Sequence, residues 1–449
     1  MLIKDIFMEL RSRLRSCNVY ITTGVSINKN CNLKISIQTN SIVLNYYNDE
    51  NDKLKRRDSL SSIESLSDCY SEDDDDEVTC VIPISEFCKI IPNSMSCLKI
   101  NGNTISFRIL TEPKNGGNFF NEVLSPNTVE NSISTNQLKI NVVTSDELKI
   151  ICSNCSNVVS NNVVSFDRVL ELPSTNMDMS EWFCHGHGHS HGCDSQSATG
   201  DEKPNTLNVD LKPNKTDFLY RMTYFVVNKN ILSEKTNKFN IKRDVYHCNR
   251  CLAWLGLKDK DKVKLFNTDV KIQQNGADKR AFSYTATVDS KIDDFIYTIE
   301  KMTKEFHLGF QYMVMCKIIL ECTISASKKQ YLLIWVMDKE LQVLRNNDCI
   351  IVNDRIKLHS TLLTKILYKV ELSLNEEVES WFADPGVVST DISKSMFQHG
   401  LEHLQNMSLK VPEMFRNTNG YFVSYLKVKL PGHQTGILVR QGSGKLAIR

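Results

Sequence analysis

The sequence predicts a β-rich α+β protein: an N-terminal β domain and a larger C-terminal α+β domain, with a structural zinc site in the middle of the chain. Three observations carry this. Short runs alternating apolar and polar residues recur through the first 150 residues, as strands with one buried face do. Two C-x-x-C pairs, Cys152-Ser-Asn-Cys155 and Cys248-Asn-Arg-Cys251, offer four thiolates in the pattern of a tetrahedral metal site. The apolar run Tyr331-Leu-Leu-Ile-Trp-Val-Met337 has buried-strand length, and a helical pattern follows at Ser393 to Met407.

Taken in order, the N-terminus has Ile3, Ile6, Phe7 and Leu10 at helical spacing with charges between them, so the first element is expected to be a helix rather than a signal peptide. Asn18 to Asn28 and Leu33 to Tyr47 alternate like strands. From Asn48 to Glu77 the pattern collapses into serine and charge, ending in Glu72-Asp-Asp-Asp-Asp-Glu77, which predicts an exposed, disordered loop. Arg56-Arg57-Asp58-Ser59 and Ser71 have the look of kinase sites, although such loops are usually plain solvated linkers. Strands are expected again at Val78 to Ile84, Cys97 to Ile100 and Asn103 to Leu110. Asn101-Gly102 should be a hairpin turn, because both residues tolerate positive φ. A polar loop from Asn115 to Gln137 precedes a last strand at Leu138 to Val143.

The domain reading is 1–150 for the β-rich region, 151–260 for the zinc site and a partner-inserting segment, 261–430 for the C-terminal α+β domain, and 431–449 for a loose tail. Strand-like runs are expected after Lys264; Thr361 to Leu372 suits a strand or a helix equally, and Gly420 to Leu426 reads as a strand.

Composition excludes several function classes. At 24% charged and 41% hydrophobic, the 449-residue chain has the balance of a soluble globular protein. A net charge of +1 gives no global field for direct nucleic-acid binding or an anionic membrane, and no apolar run is long enough to span a bilayer. Fifteen cysteines without a secretory signal predict reduced thiols and metal ligation in the cytoplasm or nucleus.

Each C-x-x-C can clasp one edge of a metal from a tight turn, pinning segments far apart in sequence. The spacing between the pairs exceeds that of a zinc ribbon, so two unrelated surface turns or a redox pair stay open as alternatives. Four thiolates fill the coordination shell, which argues against hydrolytic zinc at that spot. Between the pairs lie Leu170-Glu-Leu-Pro-Ser and Ser180-Glu-Trp-Phe-Cys-His185, running into Gly186-His-Gly-His-Ser-His191. A cysteine beside histidines on a Gly/Ser tract can present ligands to a metal, its own or a partner's, or can simply be a His-rich loop.

The ordered series Cys152-x-x-Cys155, Leu172-Pro-Ser, Glu181-Trp-x-Cys-His185, Phe225-Val-Val-Asn228, Cys248-x-x-Cys251 with Leu255-Gly256, Tyr331-Leu-Leu-Ile-Trp335, Leu344-Arg-Asn346 and Asn419-Gly-Tyr-Phe-Val-Ser-Tyr-Leu426 resembles the HECT-like ubiquitin-protein ligase family that binds ubiquitin-conjugating enzymes. The likeness covers about residues 150–430. It implies acceptance of ubiquitin from a conjugating enzyme, and association with the metallo-β-lactamase-type zinc endonuclease that cleaves pre-mRNA at its 3′ end. In that second role the segment matching Leu172 to His185 is implied to enter the nuclease active site. Cys184 is implied to ligate the partner's zinc, with Leu172, Pro173, Trp182, Phe183 and His185 as its contacts. A thiolate in the open position of a catalytic zinc would displace the water that the nuclease needs. Trp182 and Phe183 would anchor the segment, or else pack on their own domain.

The ligase implication meets one difficulty. A HECT-type transfer needs a nucleophilic cysteine late in the chain, and none follows Cys349. Cys316, Cys322 and Cys349 sit in or beside apolar runs, where a buried inert thiol is expected. The readings carried forward are a ubiquitin-ligase-like protein that also blocks the endonuclease, a non-catalytic inhibitor or assembly chaperone of that endonuclease, and a His-rich metal-handling protein.

Overall fold

The computed structural model describes residues 3–24, 26–27, 33–47, 77–114, 138–172, 213–214, 216–233, 244–283, 291–307, 315–325, 328–352 and 355–427. Most of them lie in strands, and the helices are few. Among the described residues no helix is long and apolar enough to cross a membrane. The chain forms two compact units.

The first unit comprises Met1–Gln137, Glu340–Leu363 and Lys427–Arg449. Its strands in chain order are β1 (Ile3–Arg11), β2 (Ser16–Thr23), β3 (Lys34–Ile37), β4 (Ser41–Tyr47), β5 (Glu77–Pro83), β6 (Lys89–Ile90), β7 (Ser96–Asn101) and β8 (Thr104–Glu112). The expected N-terminal helix is instead strand β1. It pairs antiparallel with β2, as in Phe7↔Tyr20, and on its other edge with the later strand Lys328–Val352, from Phe7↔Arg345 to Leu10↔Gln342. The physical reason is that Ile6, Met8 and Leu10 also alternate, with a period of two. A strand flanked on both edges can bury that face in the core with Val19, Ile21 and Phe107 while Phe7 packs on Tyr20 across the other.

The expected hairpin forms with its turn one residue later: Asn101 ends β7 opposite Thr104, so the two-residue loop is Gly102-Asn103, and Gly102 alone takes positive φ, +56°. Strands β4 and β5 are antiparallel neighbours from Ser41↔Pro83 to Tyr47↔Glu77, so Glu77 is a strand residue and 48–76 connects two paired strands. Glu72 to Asp76 of the acidic stretch and the two kinase-like serines lie outside the described residues, as does the tail 431–449.

The second unit comprises Leu138–Lys339 and Thr364–Leu426. Its first part contains β9 (Lys139–Ile140), β10 (Lys149–Cys152), β11 (Arg168–Glu171), β12 (Asp217–Arg221), β13 (Tyr224–Asn228), β14 (Val245–His247), β15 (Trp254–Asp259), β16 (Lys262–Phe266), β17 (Val270–Gln274), β18 (Ala277–Lys279) and β19 (Phe282–Ser283). Six of these form a sheet in the order β11-β12-β13-β16-β15-β14, and β10-β17-β18 form another. The strand expected at Leu138 to Val143 is only β9, paired with β19. Phe166, Phe218, Phe225, Leu255, Leu265 and Phe282 fill the core, with Phe218 and Phe225 stacked 4.6 Å apart.

The second part contains α1 (Lys291–His307), β20 (Cys316–Ser325), α2 (Glu376–Ala383), β23 (Val387–Asp391), α3 (Lys394–Ser408), β24 (Asn417–Thr418) and β25 (Tyr421–Lys427), together with the start of β21 (Lys328–Val352) and the end of β22 (Arg355–Glu371), whose residues 340–352 and 355–363 belong to the first unit. Thr361 to Leu372 thus resolves as strand, ending at Glu371. The sequence reading missed α1 although Ile292, Phe295, Ile296, Ile299 and Met302 fall at i, i+3, i+4, i+7 and i+10. Helix α3 forms where expected; its N-cap Ser393 accepts a hydrogen bond from Met396 N at 3.0 Å. The two helices pack on Ile318, Leu320 and Ile334, and they approach closely at Gly400, where a Cβ would lie 2.3 Å from Phe295 Cδ2.

Candidate metal centre

Both C-x-x-C segments adopt the same turn. Cys152 ends β10; its N–H donates to Asn157 O at 2.9 Å, and Ser156 N–H donates back to Cys152 O at 2.9 Å. Cys248 follows β14; its N–H donates to Ala253 O at 2.9 Å, and Leu252 N–H donates to Cys248 O at 3.0 Å. In each, the residue after the second cysteine is left-handed, Ser156 at φ +56° and Leu252 at φ +58°. The matching turns curl each pair of sulfurs toward a common point.

There the four sulfurs converge, all within 4.8 Å of one another. Cys152 Sγ lies 3.7 Å from Cys251 Sγ, and Cys155 Sγ lies 3.6 Å from Cys248 Sγ. Thiolates about 2.3 Å from a tetrahedral zinc are separated by roughly 3.8 Å, so these cross-pair distances fit the edges of such a polyhedron. Cys152 and Cys248 are buried in the aromatic and aliphatic core, while Cys155 and Cys251 are half-exposed. The cluster is thus rooted in the core and reaches the surface, and it could hold a metal ion.

The electrostatics of the bare thiols suit that role. Burial pushes Cys152 up to about 12. Burial acts in the same direction on Cys251, but hydrogen bonds from the Asn154 side chain, the Ala253 backbone and the Cys155 and Cys152 thiols outweigh it and pull Cys251 down to about 6. Burial and hydrogen bonding thus act in opposite directions on Cys152 and Cys251, and a dication bound here would displace the proton of the buried thiol. Asn157 Nδ2 also approaches Cys248 Sγ at 3.9 Å, a second-layer contact that the spacing did not reveal. A closed four-sulfur shell leaves no coordination position for substrate or water.

The remaining site expectations fare differently. Leu172, just beyond β11, is half-buried; its N–H donates to Tyr220 O at 2.8 Å and it packs against Leu219, Tyr224, Val226 and Phe266. Pro173, Trp182, Phe183, Cys184 and His185, with the tract to His191, lie outside the described residues. Cys316 and Cys322 are buried, and burial pushes both thiols up to about 12, the condition of inert core cysteines. The Cys349 side chain lies outside the described set.

The sequence reading also missed a feature around α2. Asn375 caps the helix by accepting from Val378 N at 3.0 Å, and Trp381 stacks on Tyr421 at 6.1 Å. Lys317 sits 5.6 Å from the Trp335 ring and 5.4 Å from that of Trp381. An asparagine followed by Glu376, Glu377 and Glu379 in the first turn is the signal that could have found this helix.

A family model described as HECT-like ubiquitin-conjugating enzyme (E2)-binding matches residues 9–423. An E3 ubiquitin-protein ligase of Pongo abelii is 22% identical over 310 residues, covering 62% of this chain and 72% of that protein. No solved structure matches the chain at a significant level. The family match runs from within β1 into β25 and takes in both C-x-x-C turns, so the chain belongs to the HECT-like ubiquitin-conjugating enzyme (E2)-binding family.

Proposed function

We propose that this protein binds a ubiquitin-conjugating enzyme and acts as a ubiquitin-ligase-like factor, with one structural zinc held by Cys152, Cys155, Cys248 and Cys251. The observation that carries the reading is the family match over residues 9–423. The zinc assignment rests on four thiols at tetrahedral spacing: a thiolate set selects zinc over hard cations, and a filled shell assigns the ion to folding rather than chemistry. Zinc, when bound, supplies a cross-link between the two turns. The two residues between each cysteine pair set the bite, while the core around Cys152 and Cys248 keeps water from the inner pair.

The test is an E2-pulldown with a thioester readout. Purified chain mixed with ubiquitin-charged conjugating enzyme should retain that enzyme. A reducible ubiquitin adduct on a cysteine of this chain would make it a transferase, whereas retention without an adduct would make it a non-catalytic binder. Loss of retention across a panel of conjugating enzymes would overturn the reading.

The same protein is proposed to bind and block the pre-mRNA 3′-end zinc endonuclease through Cys184, which would enter that enzyme's open metal position. Support comes from the resemblance of Leu172 to His185, and from Leu172 being tied to Tyr220 beside edge strand β11, a fixed point of departure for the segment. Cys184→Ala should abolish inhibition of the nuclease and leave the zinc content unchanged; undiminished inhibition would sink the trans-ligand idea. A chain that inhibits without any ubiquitin adduct would be the inhibitor or assembly chaperone. The cytoplasm or nucleus is the proposed compartment.

A further inference from the structure

The two C-x-x-C turns share a backbone but differ in what stands at one position of it. In the first turn Cys152 N–H donates to the carbonyl of Asn157, and in the second Cys248 N–H donates to the carbonyl of Ala253, both at 2.9 Å. The backbone N–H of each of these two residues also bonds the second sulfur of its own turn, Asn157 to Cys155 and Ala253 to Cys251. The methyl group of Ala253 has nothing further to donate. Asn157 has an amide, and its Nδ2 lies 3.9 Å from Cys248 Sγ in the opposite turn.

The same Nδ2 lies 3.2 Å from Val158 O. A carbonyl only accepts, so the end of the amide facing Val158 is the NH2, and this fixes which end meets the sulfur. Asn157 therefore contacts three of the four cysteines: Cys152 through its carbonyl, Cys155 through its N–H and Cys248 through its side chain. It is half-buried, where water competes less for such bonds. Exposed Asn154, also in the first turn, bonds Cys251 through its side chain, so both sulfurs of the second turn face a side-chain donor from the first. In the other direction Arg250 Nη1 reaches the Cys155 carbonyl at 3.5 Å rather than a sulfur.

We propose that Asn157 is a positioning residue of the metal centre, its amide donating across the cluster to Cys248 and so setting how tightly the four thiolates hold zinc. The inference rests on the structural-zinc reading above, and it adds a residue outside the four ligands. Four thiolates around a dication leave net negative charge on the sulfurs. A donor from the next layer stabilises that charge and fixes where the sulfur points. A carboxylate in the same place would do the opposite, because like charges repel strongly in a half-buried site.

The experiment is zinc competition between the full chain and a chromogenic chelator, with the cobalt-substituted protein giving a spectrum of the metal–sulfur bonds. Asn157→Ala keeps both backbone contacts and removes the donor; zinc affinity should fall about tenfold, the lower end of what losing such an outer partner costs. Asn157→Asp preserves the shape of the side chain but puts negative charge in place of the donor, so it should hold zinc more weakly than Asn157→Ala. The thiolate-to-cobalt charge-transfer band should shift in both. A packing role for the side chain predicts the reverse order, with Asn157→Asp near the parent and Asn157→Ala worst. Asn161→Ala removes an amide that bonds the Asn230 carbonyl at 2.9 Å, and it should hold zinc as the parent does. Strand content by circular dichroism, unchanged in all variants, separates loss of metal from loss of fold. Parental zinc affinity in both Asn157 variants, or the reverse order between them, overturns the inference. If the parent itself binds no zinc, the structural-zinc reading falls and this inference with it.

Discussion

Within the second unit, two regions build a β core from opposite materials. From β10 to β18 the strands are three to six residues long, split between two sheets. In the other region β20 is 10 residues long, β21 and β22 contribute Lys328–Lys339 and Thr364–Glu371 to this unit, and α1 and α3 cover Ile318, Leu320 and Ile334. A short strand contributes few ladder bonds and little buried surface, so the relative placement of two small sheets is weakly specified by pairing alone. The proposed metal, gripped by β10's end and by the turn after β14, would specify it with one cross-link. Long strands under amphipathic helices need none. The cysteine region is therefore expected to be metal-dependent, and the helix-covered region to depend on close packing.

Substitutions at the cysteines should break this contrast most severely. Cys248→Ser should remove about one zinc per chain and destabilise the cysteine region by about 5 kcal/mol or more, given the 10–16 kcal/mol apparent for structural zinc in small peptides. Hydrogen exchange should then rise sharply in β10 and β14–β17, and less in β20–β22. Equal loss of protection in both regions would erase the distinction.

Backbone packing within the cysteine region comes next. Gly256 in β15 has no room for a side chain, since a Cβ would sit 2.0 Å from Lys264 O. Gly256→Ala should cost about 3 kcal/mol by chemical denaturation, because a strand carbonyl cannot give way as a side chain can. In the helix-covered region Gly400→Ala would press on the Phe295 ring, which can rotate or shift; a loss of about 1–3 kcal/mol with zinc retained is expected.

The smallest effect sharpens the comparison at one residue pair. Asp217 is buried and accepts two hydrogen bonds from Arg168, at 2.8 and 2.7 Å, which hold its carboxyl below the usual range. Because the folded-state pKa is depressed, its stabilisation is complete above the unfolded value and lost as pH falls through the folded one. The stability gap between parent and Asp217→Asn should thus be full at pH 7 and narrow below about pH 4. A gap that widens with acid would mean that the ion pair is not its source.

Ligand chemistry was the most legible part of the chain. Cysteine type and C-x-x-C spacing are local facts, and they located four residues that the fold then brings together across some hundred positions. The β7–β8 hairpin was legible for the same reason, to within one residue: its signal is local, and the turn falls at Gly102-Asn103. Ile3 to Leu10 was not, because its apolar residues satisfy both periodicities, and the choice is made by the partner strand around Leu344, far away in sequence. The same non-locality hides the contribution of Glu340–Leu363 to the first unit. Helix α2 escaped for another reason: it is only eight residues long, too short for a periodic signal, although its cap and acidic first turn were there to be read.

Native mass spectrometry of the chain mixed with a ubiquitin-conjugating enzyme tests the central claim most directly, since one spectrum reports both metal and partner. The expected result is a complex containing the chain, one zinc and the conjugating enzyme, with the zinc retained when the enzyme dissociates. A chain without zinc, or one that forms no complex with any conjugating enzyme tried, would contradict it.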